Sequence, residues 1–378
     1  MKKALIVSTV SRQFYLFEQA NISALRKLGY EVHGAANFDE RSDRLAEVDI
    51  VEHHIDFQRS PLSLTNIRAY KQLKELVERE KFDLIHCHSP VGGVVGRLVG
   101  MQFPDTKVLY TAHGFHFFKG APLKNWLIFY PIEKLLSRVT DCLITINQED
   151  YQLAKNKFSM KKLELVNGVG VDYQKFSPIS QVEKEKRRKQ LDLDRFKHIL
   201  IYVGELSKRK NQSVLINAMK VIVTNYPSTV LLLVGKGELM TFYQQEIKDL
   251  DLEDNILLLG FRDDVPNLMQ ISDIALSSSL QEGLPMHLME AMGLGLPLIV
   301  SDCRGNRDLV EDGENGLIMS TMNSRDWSEA ITRLLENAEL RKTMSQVSLI
   351  KSIQFSQFKI EKSMLNIYNL HELDKRKN

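Results

Sequence analysis

Short apolar, β-branched runs alternate with helix-length stretches along nearly the whole chain, and that alternation leaves few folds open. The first half gives ALIVST, EVHGAA, DLIHCHS, KVLYTAHG, DCLITIN and LELVNGV. The second half restarts at HILIYVGE and continues with VLLLVGKG, NILLLG, DIALSSS, LPLIVSD and NGLIM. These runs are continuous, so both faces of each strand are covered, as parallel strands joined by helical crossovers require. The expected fold is α/β, with two Rossmann-like, doubly wound domains facing a central cleft. Residues 1–177 form the first domain and 198–354 the second, and 355–378 read as a helix able to pack back on the first. Residues 177–197 lose the apolar period and gain charge, so they read as a linker, with the basic run 184–189 as a solvated helix face.

With 378 residues the chain can bury two sizeable cores. Its 50 Lys and Arg nearly balance 48 Asp and Glu. A net charge of +2 gives no field to collect nucleic acid, so an anionic partner must be held at a local site. Cys87, Cys142 and Cys303 are scattered without a CxxC pair, which suits reduced thiols in the cytoplasm. The opening MKKALIVSTV ends at SRQF without a small-residue cleavage site and reads as a first strand. No run approaches the 18 or so apolar residues of a membrane span.

Ligands of such sheets bind at the carboxyl ends of the strands, and the chemistry-bearing stretches fall there. In QEGLPMHLMEAMGLGLPLIVSD, Glu282 and Glu290 stand eight apart around a Gly-Leu-Pro step. Pro285 suits a first helical turn, whose free amides and dipole favour a diphosphate. Glu290 would lie roughly 8 Å further along the axis, where a carboxylate can accept from a diol such as ribose. A capped amphipathic helix with two surface glutamates would give the same spacing. In VGELSKRKNQ, Gly204 permits a tight turn, and Lys208, Arg209 and Lys210 cluster before a helix. Cations there oppose the dipole unless an anion lies between them; solvated lysines are the alternative.

In TAHGFHFF, His113 ends a strand before Gly114. His86 and His88 of HCHS share a strand face, but no third ligand at metal spacing accompanies them, and no metal is expected. The stretch APLKNWLIFYPIEKLLSRV carries Trp126, Phe129 and Tyr130 beside Lys124, Lys134 and Arg138, interrupted by Pro131. Its apolar residues exceed one core face, so it is either a buried helix or an interfacial membrane contact.

The ordered set GELSKRKN, VGKGE, LGFRDDVPNLM, SDIALSSS, EGLPMHLMEAM, GLPLIVSD and DGENGLI resembles the donor domain of family 4 retaining glycosyltransferases, of the glycosyltransferase-B fold. HCHSPVGG, LYTAHGFHFFKGAPLKNW, YPIEKLLSRVTDCLITIN and CRGNRDLV resemble the exopolysaccharide and capsule-assembly branch. The resemblance covers most of the chain. It implies a nucleotide sugar, with uridine as the base, bound in the second domain and an acceptor held mainly in the first. Glu290 takes the ribose; Glu282 with Gly283, Leu284 and Pro285 takes the sugar and diphosphate. Lys210 matches the phosphate-binding lysine, and Gly204, Arg209 and Gly235 flank the same donor site. Phe261 and Arg262 match the segment lining the base, and His113 the histidine beside the reacting sugar. Glu205 replaces a common arginine, which Arg209 could substitute, and VSTVSRQF replaces a Gly-Gly loop, leaving Ser8 to Arg12 of unfixed geometry.

Catalysis is then expected from His113, Lys210 and Glu282, without a metal or cofactor and with retention at the anomeric carbon. The implied acceptor is a glycan on undecaprenyl diphosphate, reached by peripheral contact with the inner face of the cell membrane through residues 121–139. A sugar-nucleotide epimerase or hydrolase of the same fold, or a two-lobed sugar-binding protein, are the rival readings. Arg304 and Asn306 could face the sugar or the acceptor.

Overall fold

The computed structural model describes residues 1–61 and 63–375, with side chains to residue 370. Residues 1–170 and the helix Gln357–Lys375 form one compact unit, and residues 171–356 form another. The first unit holds β1 (Lys2–Val10), β2 (Tyr30–Asn37), β3 (Val51–His54), β4 (Leu84–His88), β5 (Lys107–Ala112), β6 (Cys142–Thr145) and β7 (Lys162–Leu165). They are parallel, in the order β3-β2-β1-β4-β5-β6-β7. The second unit holds β8 (His198–Val203), β9 (Thr229–Val234), β10 (Ile256–Gly260), β11 (Ile274–Ser277), β12 (Leu298–Ser301) and β13 (Gly316–Met319). These too are parallel, in the order β10-β9-β8-β11-β12-β13. Both units are Rossmann-like.

Strand order reverses between β1 and β4 in the first unit and between β8 and β11 in the second. At such switch points the loops leave the sheet in opposite directions and open a crevice at the strand ends. Side-chain alternation supplies the layers. Leu5 and Val7 enter one apolar cluster with Ile85, Val95 and Phe117, while Ala4 and Ile6 enter the other with Phe14, Leu25 and Ile144. Ile360, Met364 and Tyr368 of the Gln357–Lys375 helix complete that second cluster. The three cysteines are free and buried.

Three local expectations need correction. β3 went unread because VEHH is an edge strand whose side chains are mostly exposed, so no apolar period marks it. The supposed linker contains the helix Gln181–Gln190, capped by Ser180, and clusters with the second unit, as do residues 171–177. Its basic run is not simply solvated. Lys184 Nζ lies 2.7 Å from Asp273 Oδ1, and Arg188 Nη2 binds both Asp273 oxygens at 2.9 and 2.8 Å. Asp273 also accepts from the amide of Ile199 at the start of β8.

The third concerns the helix Leu123–Ser137. Trp126, Phe129 and Tyr130 are half-buried and pack on the core, Trp126 and Tyr130 around Phe117 and Phe158. The exposed apolar residues are aliphatic, led by Leu123 (73% exposed) and Leu127 (69%), with Ile128, Ile132 and Leu135 beside them. Aromatic content therefore marked the inner face of this helix. Among the described residues no helix is long and apolar enough to cross a membrane.

Asp273 offers a test of the packing just described. Burial works against its charge, but Lys184 and Arg188 outweigh burial and hold its pKa below the ordinary aspartate range. Its contribution is therefore present at neutral pH and lost as the pH falls below the ordinary range towards the folded value. Asp273→Ala leaves two cations without their anion and should cost about 3 kcal/mol of stability in urea unfolding at pH 7.

Candidate active site

In the second unit, the loops after β8 and β11 meet at the switch point. Lys210 Nζ and Glu282 Oε1 form an ion pair in which both side chains are buried. Burial opposes ionisation of Glu282, but the Lys210 ammonium prevails and holds its pKa below the usual range. Arg209 stands at the rim, 3.5 Å from Glu282 Oε2 and 3.8 Å from Glu205 Oε2, and donates to the Gln281 carbonyl at 3.0 Å. Glu205 thus faces Arg209 instead of adding a phosphate cation. The four charges of Lys210, Arg209, Glu282 and Glu205 sum to zero.

Backbone contact sets this geometry. Gly235 has φ +146°, and a Cβ on it would lie 1.9 Å from the Gly204 carbonyl oxygen. A side chain there would force apart the loops after β8 and β9, which are tied by Gly204 N–Val234 O and Leu206 N–Lys236 O bonds. Serines fasten the β11 end to the Lys210 loop. Ser278 Oγ donates to the carbonyls of Lys210 and Asn211, and Ser279 Oγ bonds Tyr202 at 2.9 Å.

The helix after β11 is Met286–Gly293, and Pro285 is its extended N-cap rather than a residue of its first turn. Gly283, Leu284 and Pro285 therefore form the approach to the helix start. Buried Arg304 donates to the Glu282 carbonyl at 2.9 Å, which answers the open question of its direction; Asn306 instead binds Ser301. Glu290 lies within the helix, partly buried, with no ion pair among the described residues. Burial alone lifts its pKa to about 7. His287, one of the residues sequence reasoning missed, lies beside Tyr202; burial and Lys210 push its pKa down to about 3, so its ring is neutral. Phe261 presents an exposed ring after β10, whereas Arg262 is forked onto Asp264 at 2.7 and 2.6 Å.

His113 belongs to the first unit, after β5, with Gly114 at φ +131° next to it. It lines a cavity of about 190 Å³ together with Ser89, Tyr110, His116, Phe129 and Glu133. Ser89 has φ +63° and ψ 157°, a conformation that only glycine adopts readily. His86 and His88 lie side by side, ring centroids 4.1 Å apart, but take different partners. His86 binds Tyr368 and Thr111, while His88 Nδ1 lies 3.1 Å from Glu18 Oε1 and 3.0 Å from His113 Nε2. The ligand atoms of Glu18, His88 and His113 all lie within 4.8 Å of one another, as a metal site would require. Glu18 stands about seventy residues from His88 in sequence and carries no local signal; only the fold assembles the cluster.

Residues 183–348 match the model of the family described as glycosyl transferases group 1, and residues 3–147 match a glycosyl transferase 4-like model. EpsD of Bacillus subtilis (strain 168), which carries the name of a glycosyltransferase, is 37% identical over 98% of this chain and 97% of its own. The chain is a glycosyltransferase of the glycosyltransferase-B group. An Escherichia coli relative, named UDP-Gal:alpha-D-GlcNAc-diphosphoundecaprenol alpha-1,3-galactosyltransferase, is 31% identical over 74% of this chain and 75% of its own. The fold of this glycosyltransferase matches Anabaena HepE in complex with UDP and glucose. There the TM-score is 0.82 at 20% identity, covering 98% of this chain and all of that one. The two parallel-sheet units are those of the glycosyltransferase-B fold.

Proposed function

We propose that this enzyme is a family 4 retaining glycosyltransferase of exopolysaccharide or capsule assembly. It moves a sugar from a UDP-sugar to a glycan carried on undecaprenyl diphosphate. The observation that carries the reading is the buried Lys210–Glu282 pair at the mouth of the helix bearing Glu290. The acceptor class and the base are supported by the name of the Escherichia coli relative, and the branch by the motifs shared with the capsule-assembly enzymes and by the likeness to EpsD.

The residues have distinct roles in this reading. Amides at the helix start, Lys210 and Arg209 meet charge developing on the leaving diphosphate, and they do so preorganised. Gly204 and Gly235 let the loop backbones approach that diphosphate, and Glu282 holds Lys210 and the donor sugar. Glu290 accepts from the ribose hydroxyls, and Phe261 stacks on the base with Arg262 beside it. The bond from the anomeric carbon to the diphosphate oxygen breaks, and the acceptor oxygen bonds on the same face. Its proton passes to the departing phosphate, so His113 acts as a neutral donor to the sugar. No metal enters this scheme.

The Leu123–Ser137 helix supplies the peripheral membrane contact. Its exposed aliphatic residues stand among exposed Lys119, Lys124, Lys134 and Arg138, while Glu133 is buried against Arg97 at 2.9 Å. An apolar face rimmed by uncompensated cations suits the anionic cytoplasmic leaflet.

Four outcomes test these statements. In calorimetry with EDTA present, UDP should bind in preference to GDP and ADP, with Glu290→Ala and Lys210→Ala each weakening it about tenfold or more. Binding only with magnesium would overturn the metal-free scheme, and no nucleotide binding at all would end the transferase reading. Ribose favours the Glu290 carboxylate and lowers its pKa from about 7, so UDP-sugar affinity should rise as pH climbs through 7 and then level. Glu290→Gln should remove that slope. Leu127→Glu with Leu135→Glu should release the protein from phosphatidylglycerol vesicles in flotation, whereas unchanged binding would exclude this face. NMR of the product should show the donor's anomeric configuration.

A further inference from the structure

We propose that Glu18 and His88 are positioning residues that hold His113 in a single tautomer, with its proton on Nδ1, so that the ring presents an N–H donor to the sugar. This rests on the proposed place of His113 beside the reacting sugar, and it adds two residues and a defined proton to that reading.

The argument begins at Glu18, a fully buried carboxylate between the helices Arg12–Phe17 and Gln19–Lys27. Gln13 Nε2 donates to its Oε1 at 2.7 Å, and Asn21 Nδ2 donates to its Oε2 at 2.6 Å. Burial lifts the Glu18 pKa to about 7, so above neutrality it is ionised and both oxygens are acceptors. His88, also fully buried at the end of β4, brings Nδ1 to 3.1 Å from Oε1. A lone pair on Nδ1 would face the lone pairs of Glu18, and an N–H on Nε2 would point at nothing, because Nε2 is buried without a partner among the described residues. An orphan N–H is the rarer and costlier defect. His88 therefore carries its proton on Nδ1.

That proton settles the next ring. The single Nδ1 hydrogen of His88 is directed at His113 Nε2, 3.0 Å away, with Glu18 Oε1 beside that nitrogen as electrostatic support; Gln13 Nε2 lies 3.5 Å from the same His113 nitrogen, so two donors face it and it must offer a lone pair. A neutral imidazole with an accepting Nε2 has its hydrogen on Nδ1. Burial keeps both rings neutral, with the His113 pKa down at about 4 and that of His88 well below the ordinary value. Other groups nearby are committed elsewhere: His86 to Tyr368 and Thr111, and Asp150 to the amide of Phe115, which fixes the loop just after His113. The arrangement follows the general rule that a working histidine is set by the hydrogen bond its other nitrogen makes. A ring free to take the other tautomer would carry a lone pair on Nδ1 and lose that donor.

The first test needs no substrate, so it decides the relay even if the donor-site reading fails. Long-range nitrogen–proton NMR of the histidine-labelled full chain, assigned with His113→Gln, should show both His88 and His113 protonated on Nδ1 and neutral at pH 8, where Glu18 is ionised. An Nε2–H signal from His113 overturns the proposal. In sugar transfer, Glu18→Ala and His88→Ala should lower kcat on the order of 100-fold. The nucleotide-sugar KM should stay within about twofold. His88→Asn, whose amide replaces the Nδ1 donor, should recover most of the loss. Equal loss in His88→Asn and His88→Ala, or full activity in both alanine variants, overturns it. So does one equivalent of tightly bound zinc that chelation removes together with activity, since the same three groups would then be metal ligands.

Discussion

The second unit depends on keeping one carboxylate charged where water is nearly absent. Glu282 sits at the end of β11, where the sheet's reversal opens a crevice, and Lys210 from the loop after β8 is the cation that makes its burial tolerable. Removing either partner leaves a buried charge alone, which costs far more than the pair contributes. The pair therefore locks the relative position of two loops. Other bonds repeat that constraint: the serine bonds to Lys210 and Asn211, the close approach of Gly235 to Gly204, and the Arg304 bond to the Glu282 carbonyl. The helix start is held in one place by independent contacts, as preorganised charge stabilisation demands.

What could be read in the sequence followed from periodicity and from local spacing. Among the described residues, continuous apolar runs revealed twelve of the thirteen strands, because a strand buried on both faces has a composition unlike any loop. β3 escaped for the opposite reason, being an edge strand with mostly exposed side chains. The Glu282, Glu290 and Lys210 stretches were legible since each lies within a few residues of a strand end. Gly235 was chosen by resemblance, and its need for φ +146° and the absence of a Cβ emerged only from the fold. Charge runs misled in the Gln181–Gln190 helix, where two cations share an aspartate from a loop more than eighty residues away. Composition cannot reveal such a partner.

The Leu123–Ser137 helix carries a related lesson. Apolar residues surround most of its circumference, and the sequence left open which of them meet the core. Large rings fill the space over Phe117 and Phe158, where stacking and edge contacts add to area burial. The aliphatic residues are left outside. If this face meets lipid as proposed, leucine and isoleucine with lysines at the border would insert shallowly without requiring polar ring atoms to find partners.

The two units treat buried ionisable groups differently, and the difference matches what each would have to bind. Around Lys210 burial is answered by pairing, so full charges persist beside the helix start, and they can be redirected towards a diphosphate. Around His113 burial is answered by neutrality: both imidazoles lose their charge, and Glu18 accepts from two amides with the His88 ring beside it. Its pKa is nonetheless raised to about 7 by burial, which leaves it near the point of losing its charge. If His113 stands beside the donor sugar as proposed, a cationic ring would attract phosphate to that place, whereas a neutral N–H can bind a hydroxyl or ring oxygen without competing for the anion. In that proposal, keeping the histidine uncharged is what would separate recognition of the sugar from recognition of the diphosphate.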